Sequence, residues 1–331
     1  MTRKRQAGPT AQVLARLRAH KVAVARMAVG ALSDVREYVP SGVNVVDYHL
    51  LGGGGLHVGR LCELSGDEGT GKTSLAFAFM AGAQRGGGAV MLAEAERALQ
   101  VERATVFGVQ LDDVVLAQPN TLEEALTGAA EFMAACEAGK LGPNLWVYDS
   151  LAAGVPEAEA DKPIGDVAMG AVARVMSATL RRLLPLAVRS RTALLVVNQN
   201  RMKIGRMFGN PVTTTGGNAI KFYASERLQL MGGAAVKGAS GEPVGKDITA
   251  ICTKNKLQRP HGKARVRLSY AHGWVEPWST LTHAKDRALV PPKAQGAGAY
   301  AEACKVLGWP VQAGPPSEDG EAEDLLLVET E

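Results

Sequence analysis

Residues 66–73 read GDEGTGKT and stand between an apolar run (Leu61, Cys62, Leu64) and a helical pattern carried by Leu75, Ala76, Phe77, Phe79 and Met80. Strand, glycine loop and helix in that order form a phosphate cradle. The glycines let backbone N–H groups turn inward around a phosphate chain, Lys72 reaches the β- and γ-phosphates, and the Thr73 hydroxyl ligates Mg²⁺. The stretch therefore predicts a nucleoside triphosphate site in an α/β protein, with Gly66, Asp67, Glu68, Gly69, Thr70, Gly71, Lys72, Thr73 and Ser74 around the phosphates.

The flanking pattern supports that class. A strand is expected at 60–64, the loop helix follows, and a strand at 89–92 ends in the acids Glu94 and Glu96. A helix to about Phe107, a strand at 114–116, a helix at 122–136 and a strand at 145–148 closing on Asp149 and Ser150 continue the alternation. Alternating strands and helices of these lengths predict a mainly parallel sheet covered on both faces. Asp149, 76 residues after Thr73, ends an apolar strand, which is the pattern of the acid that holds Mg²⁺ opposite the phosphate loop. Beyond it the reading gives a loop at 152–168, a helix at 169–189 that Pro185 should kink or shorten, and a strand at 193–197 ending in Asn198 and Gln199.

The segment from 200 to 217 has no apolar period before a helix near Asn218. A long loop inside a compact domain is usually functional, and this one carries Arg201, Lys203, Arg206, Met207, Phe208 and several glycines. Cations and glycine backbone suit a phosphate chain, and Met207 and Phe208 offer apolar surface to a base. Two further strands, at 248–253 and 265–268, bracket a basic turn with Lys254, Lys256, Arg259, His261 and Lys263. After Ser279 only one short helical piece, 299–307, is expected.

With 331 residues, 46% of them hydrophobic, the chain can bury a sizeable core. Cys62, Cys136, Cys252 and Cys304 stand far apart with no Cys-x-x-Cys pair, and the histidines are scattered, so neither a disulfide framework nor a zinc site is expected. No apolar run approaches the ~20 residues of a membrane span, and a reducing cytoplasm fits best. The first forty residues are basic, and an acidic stretch runs from Glu318 to Glu331. A solvated tail is one reading of each end; a basic arm near DNA or a neighbouring subunit, with an acidic tail competing for basic surface, is the other.

The stretch NQNRMKIGRMFGNPVTTTGGNAIKFYAS closely resembles the second DNA-binding loop of the bacterial and phage RecA recombinases. YDSLAAGVPEAEADKPIGDVAMGAVARVMS resembles the Mg²⁺-holding strand, first DNA-binding loop and following helix of that family, and CTKNK resembles its strand with a lysine pair. The likeness covers roughly residues 39–278. It implies a RecA-type P-loop core (40–278) holding ATP and Mg²⁺, with DNA-binding loops at about 152–168 and 200–217, a basic N-terminal helical arm (1–39) for subunit contact, and a short C-terminal region with an acidic tail (279–331). It further implies a DNA-dependent ATPase that forms helical filaments on single-stranded DNA and exchanges strands with a homologous duplex.

By the same resemblance Asp149 holds Mg²⁺, Glu96 activates the attacking water, and Gln199 senses the γ-phosphate. Lys254 and Lys256 reach a neighbouring subunit's phosphates, and Phe222 sits in that interface. Met169 and Arg174 match the first DNA-binding region; Arg201, Lys203, Met207, Phe208, Thr215, Gly216, Gly217 and Asn218 match the second. A self-cleaving repressor of a damage response and loader proteins are further implied partners.

Three departures stand out. Gln100 and Arg103 occupy the places of an acid and an aromatic residue near the base, DKPIGD replaces a more acidic stretch in the first loop, and the region after Trp278 does not resemble the family's C-terminal domain. Two alternatives follow: a DNA-stimulated motor or paralogue on the same core without strand exchange, and a scaffold that uses ATP only to assemble.

Overall fold

The computed structural model of the protein describes residues 13, 16, 19, 37–160, 162–163, 170–202, 212–215 and 217–312. The chain divides into two units, Met1–Arg36 and Glu37–Glu331. In the first, Val13, Arg16 and Ala19 are helical with exposed side chains, and their spacing of three puts them on one helix face.

The second unit opens with β1 (Tyr38–Val39), a helical turn (Val45–Leu50) and β2 (Leu56–His57). It then alternates through β3 (Leu61–Gly66), α1 (Lys72–Arg85), β4 (Val90–Glu94), a 3-10 turn (Val101–Phe107), β5 (Val114–Ala117), α2 (Leu122–Gly139), β6 (Asn144–Asp149), α3 (Ala171–Arg189) and β7 (Thr192–Met202). The hairpin strand β8 (Val212–Thr214) and the short helix α4 (Gly217–Tyr223) follow, then β9 (Glu226–Lys237), β10 (Pro243–Asn255), β11 (Lys263–Ser269), β12 (Gly273–Trp274), α5 (Glu276–Asp286) and α6 (Gly296–Leu307).

One large sheet has the order β12-β11-β10-β9-β3-β7-β6-β4-β5. The six strands from β9 to β5 in that order are parallel, and β10, β11 and β12 add on antiparallel. Strands covered on both faces are apolar almost throughout, and the two-residue period sorts their side chains. Cys62, Leu64, Leu145, Val147, Leu195 and Val197 join Leu75, Phe77 and Phe79 of α1 in one core. Leu61, Trp146, Tyr148, Leu194 and Val196 join Leu126 and Met133 of α2 and Met176 and Leu180 of α3 in the other. Each fully buried leucine contributes about 1.5–3 kcal/mol, so both faces hold the parallel strands in register.

Several elements differ from the sequence-based expectation. Strand β9 was not anticipated: beyond Leu230 it runs through Gly232, Gly233, Ala234 and Ala235, which carry little strand signal. Gly233 is required there, because a Cβ would lie 2.4 Å from the Asp247 carbonyl oxygen of the paired strand. Helix α3 ends at Arg189, as expected, with Pro185 inside it and exposed. The helix expected before Phe107 is a 3-10 turn. After Trp278 two helices are present rather than one: α5 and α6 pack around Leu281, Ala284, Val290, Tyr300, Ala303 and Cys304.

Candidate active site

The phosphate loop is set by the end of β3 and the start of α1. A side chain at Gly66 would collide with the Leu230 carbonyl and the Thr70 hydroxyl, each 2.6 Å from a Cβ, and Gly71 is left-handed at φ 81° just before Lys72. Both positions need glycine. The Asp67 carbonyl accepts from Thr70 Oγ1 at 2.8 Å and from Lys72 Nζ at 2.6 Å, which closes the loop on itself.

Parallel register brings the other groups to the same end of the sheet. Gly66 lies opposite Gln199 across β3 and β7, and Glu94 lies opposite Asp149 across β4 and β6. Thr73 Oγ1 donates to Asp149 Oδ2 at 2.7 Å, so a hydroxyl and a carboxylate stand together at the start of α1. Ser150 Oγ and Gln199 Nε2 both donate to Glu96 Oε1, the latter at 3.3 Å. A cleft of ≈ 460 Å³ is lined by Glu68, Gly69, Gly71, Lys72, Thr73, Ser74, Glu96, Arg103, Asp149 and Gln199. These residues, predicted from separate stretches, therefore share one cavity.

The electrostatics suit a cation and a polyanion. Burial pushes Asp149 up to about 6, with the Thr73 hydrogen bond opposing and the neighbouring Glu96 charge adding to the shift. Burial lowers Lys72, while Asp149, Glu96, Asp67 and Glu68 hold its charge in place. A carboxylate that is costly to ionise beside a hydroxyl is a donor set that fits Mg²⁺. The space where a Gly69 side chain would stand has nothing within 4 Å, which leaves the loop open to phosphate oxygens.

Lys246, Leu268 and Tyr270 complete the cleft and were missed in the sequence. Lys246 Nζ donates to the Gly69 carbonyl at 3.3 Å from β10, across from the loop. The apolar part of β10 starts at Ile248 and Lys246 lies before it; the signal for Lys246 is its two-residue spacing from Ile248 and Ala250. Gln100 caps the Val101–Phe107 turn, its carbonyl accepting from Arg103 N at 3.1 Å, and is not among the cleft residues.

Lys254 and Lys256 stand away from this cleft, at the C-terminal end of α4. Lys254 Nζ donates to the Lys221 and Phe222 carbonyls, and Lys256 Nζ to the Phe222 carbonyl at 3.0 Å. Cations there satisfy orphan carbonyls and oppose the helix dipole. Burial, then the Lys256 and Arg227 charges, lower Lys254 to about 8. The Phe222 side chain is 72% exposed and borders an open groove with Arg174, Asn218 and Tyr223 between α3 and α4.

The long segment after Gln199 begins as a hairpin, since β7 continues to Met202 and pairs with β8, Arg201 opposite Thr213. The Thr215 carbonyl accepts from Asn198 Nδ2 at 2.9 Å, and Gly217 starts α4 with φ 60°. Of the residues expected on DNA, Met169, Lys203, Met207, Phe208 and Gly216 lie outside the described residues, and Arg201 is described in its backbone alone.

Comparison with known proteins agrees with this architecture. The family model for the RecA N-terminal domain matches residues 16–275. Protein RecA of Bdellovibrio bacteriovorus is 41% identical over 251 residues, spanning 76% of this chain and 64% of that protein. Protein RecA of Methylococcus capsulatus is 42% identical over 254 residues, spanning 76% and 71%. Among solved structures, the RadB recombinase aligns at a TM-score of 0.50 and 20% identity over 71% of this chain and 98% of that one, a likeness of fold. By the extent of the domain match and the identity to these relatives, the chain belongs to the RecA family.

Proposed function

We propose that this protein is an ATP-dependent DNA recombinase that assembles as a helical filament on single-stranded DNA and exchanges strands with a homologous duplex. The observation that carries the reading is continuity: Gln199 touches Glu96 in the nucleotide cleft and is two residues from Arg201, where the hairpin toward the expected DNA segment begins. One strand thus joins a catalytic carboxylate to a basic loop.

In this reading Thr73 and Asp149 hold Mg²⁺, which when bound neutralises phosphate charge. Lys72 leaves the Asp67 carbonyl for the β- and γ-phosphates. Glu96, oriented by Ser150 and Gln199, accepts the proton of the attacking water, and products are ADP and phosphate. Lys254, Lys256 and Phe222 act on a neighbouring subunit; that none of them lines this chain's own cleft supports a role in trans. Arg174, Arg201, Lys203, Met207, Phe208 and residues 215–218 hold DNA by its backbone, leaving bases free to test pairing. Among the described residues no helix is long and apolar enough to cross a membrane, and action in the cytoplasm is part of the proposal. The resemblance extends it to a self-cleaving repressor and loader proteins.

The test is transfer of a labelled strand between a homologous single strand and a duplex in the presence of ATP and Mg²⁺. Homology-dependent product supports recombination. Filaments and DNA-stimulated turnover without product favour a motor or paralogue.

A further inference from the structure

The nucleotide cleft has two flanks. Sheet order puts Glu96, Asp149 and Gln199, at or just beyond the ends of β4, β6 and β7, on one side of β3 and its loop, while Lys246, Leu268 and Tyr270, from β10 and β11, stand on the other. Lys246 is held toward the loop. It pairs across strands with Leu268, whose Cδ2 lies 3.3 Å from the place of a Gly71 Cβ, so the pair packs against the turn before Lys72. Its half-buried side chain donates from Nζ to the Gly69 carbonyl at 3.3 Å and has no ion pair among the described residues. Successive side chains of a strand diverge, and the neighbouring Asp247 pairs instead with Arg267 at 2.7 Å. Strand β9 is bulged opposite this point: Lys246 faces Ala235 and Ile248 faces Gly232, a step of three residues in β9 against two in β10. Bulges beside active sites re-aim side chains.

We infer that Lys246 is a nucleotide-binding residue of this chain's own cleft, which stays on the Gly69 carbonyl and gives its remaining N–H groups to the α-phosphate. The inference rests on the proposed reading of the cleft as the ATP site. A triphosphate whose γ end meets Glu96 and Asp149 carries its α-phosphate toward the opposite flank, where Lys246 stands. An ammonium has three donors, and the loop carbonyl takes one. The α-phosphate is common to ATP and ADP and is untouched when the γ-phosphate leaves, so this contact stabilises substrate, transition state and product alike. Such uniform binding lowers KM without raising kcat, and it holds ADP in the cleft after phosphate has gone.

The test is displacement of a fluorescent ADP by ADP and by a slowly hydrolysed ATP analogue, for wild type, Lys246→Met and Lys246→Arg, with steady-state hydrolysis and Tm measured alongside. Lys246→Met should weaken ADP and the analogue alike, by about tenfold each, and Lys246→Arg, which keeps the charge, by less than about threefold. KM rises in step, while kcat stays within about twofold of wild type. A loss confined to the ATP analogue puts Lys246 at the γ end and overturns the inference, as do unchanged affinities in Lys246→Met. Equal falls of kcat and Tm in both variants also overturn it, since they mark Lys246 as a prop for the loop. In each of those cases wild type still binds both nucleotides and the reading of the cleft stands. Wild type that binds neither nucleotide overturns that reading together with the inference.

Discussion

The Gln199 side-chain amide donates to Glu96 Oε1 at 3.3 Å, and the Ser150 hydroxyl donates to the same oxygen. Two neutral donors, one just after β6 and one in β7, thus hold one carboxylate that lines the cleft. If Glu96 is the group that accepts the water proton, Glu96→Ala should keep nucleotide and DNA bound while turnover falls by about 10²–10⁴-fold. Nucleotide affinity by fluorescence and turnover by phosphate release check this; faster release of DNA contradicts the assigned role.

Asp149 gives the site a pH limit. Its carboxyl is pushed up to about 6 chiefly by burial, so protons compete with a cation for it at mildly acidic pH. Above that value the carboxylate is free to bind Mg²⁺; below it, each pH unit should raise the Mg²⁺ needed for half-maximal nucleotide binding by up to about tenfold. Mg²⁺ titrations at about pH 7.5 and about pH 5 measure the shift.

Glu276 governs stability rather than chemistry. It is buried at the start of α5, accepting from Asn44 N at 2.9 Å, Thr280 Oγ1 at 2.6 Å and Tyr300 Oη at 3.3 Å. Burial, only partly opposed by the Thr280 and Asn44 hydrogen bonds, raises its carboxyl from 4.5 to about 8. The fold favours the protonated form, so its contribution is full below the unfolded value and is lost as pH rises through the folded one. Glu276→Gln should match wild type in Tm near about pH 5 and exceed it above about pH 8, as calorimetry across that range would register.

The basic residues after Gln199 should act through phosphate charge. Replacing Arg201 and Lys203 by Ala together should weaken single-strand binding about equally across sequences and reduce the salt slope by about 2. A loss that depends strongly on sequence indicates base readout instead.

Much of this arrangement was legible because local chemistry and global fold agree. Gly66, Gly71, Lys72 and Thr73 sit in one short stretch, with Gly66 where a Cβ would clash and Gly71 at positive φ, and Asp149 ends a strand whose apolar run is unmistakable. Lys246 and Tyr270 were not legible, since they reach the cleft through β10 and β11, whose pairing depends on the glycine- and alanine-rich β9. Helix α5 was hidden for another reason: Glu276, Ser279, Thr280, Thr282 and His283 are all buried, and a polar sequence inside a core carries no apolar period.

The most direct test of the account is ATP hydrolysis with and without single-stranded DNA, with duplex alongside, at two salt concentrations. Strong stimulation by single strands, lost at high salt, is the expected result, since in the proposed reading Lys254 and Lys256 of a neighbouring subunit complete the site on DNA. A rate independent of DNA, or no hydrolysis in any condition, would contradict it.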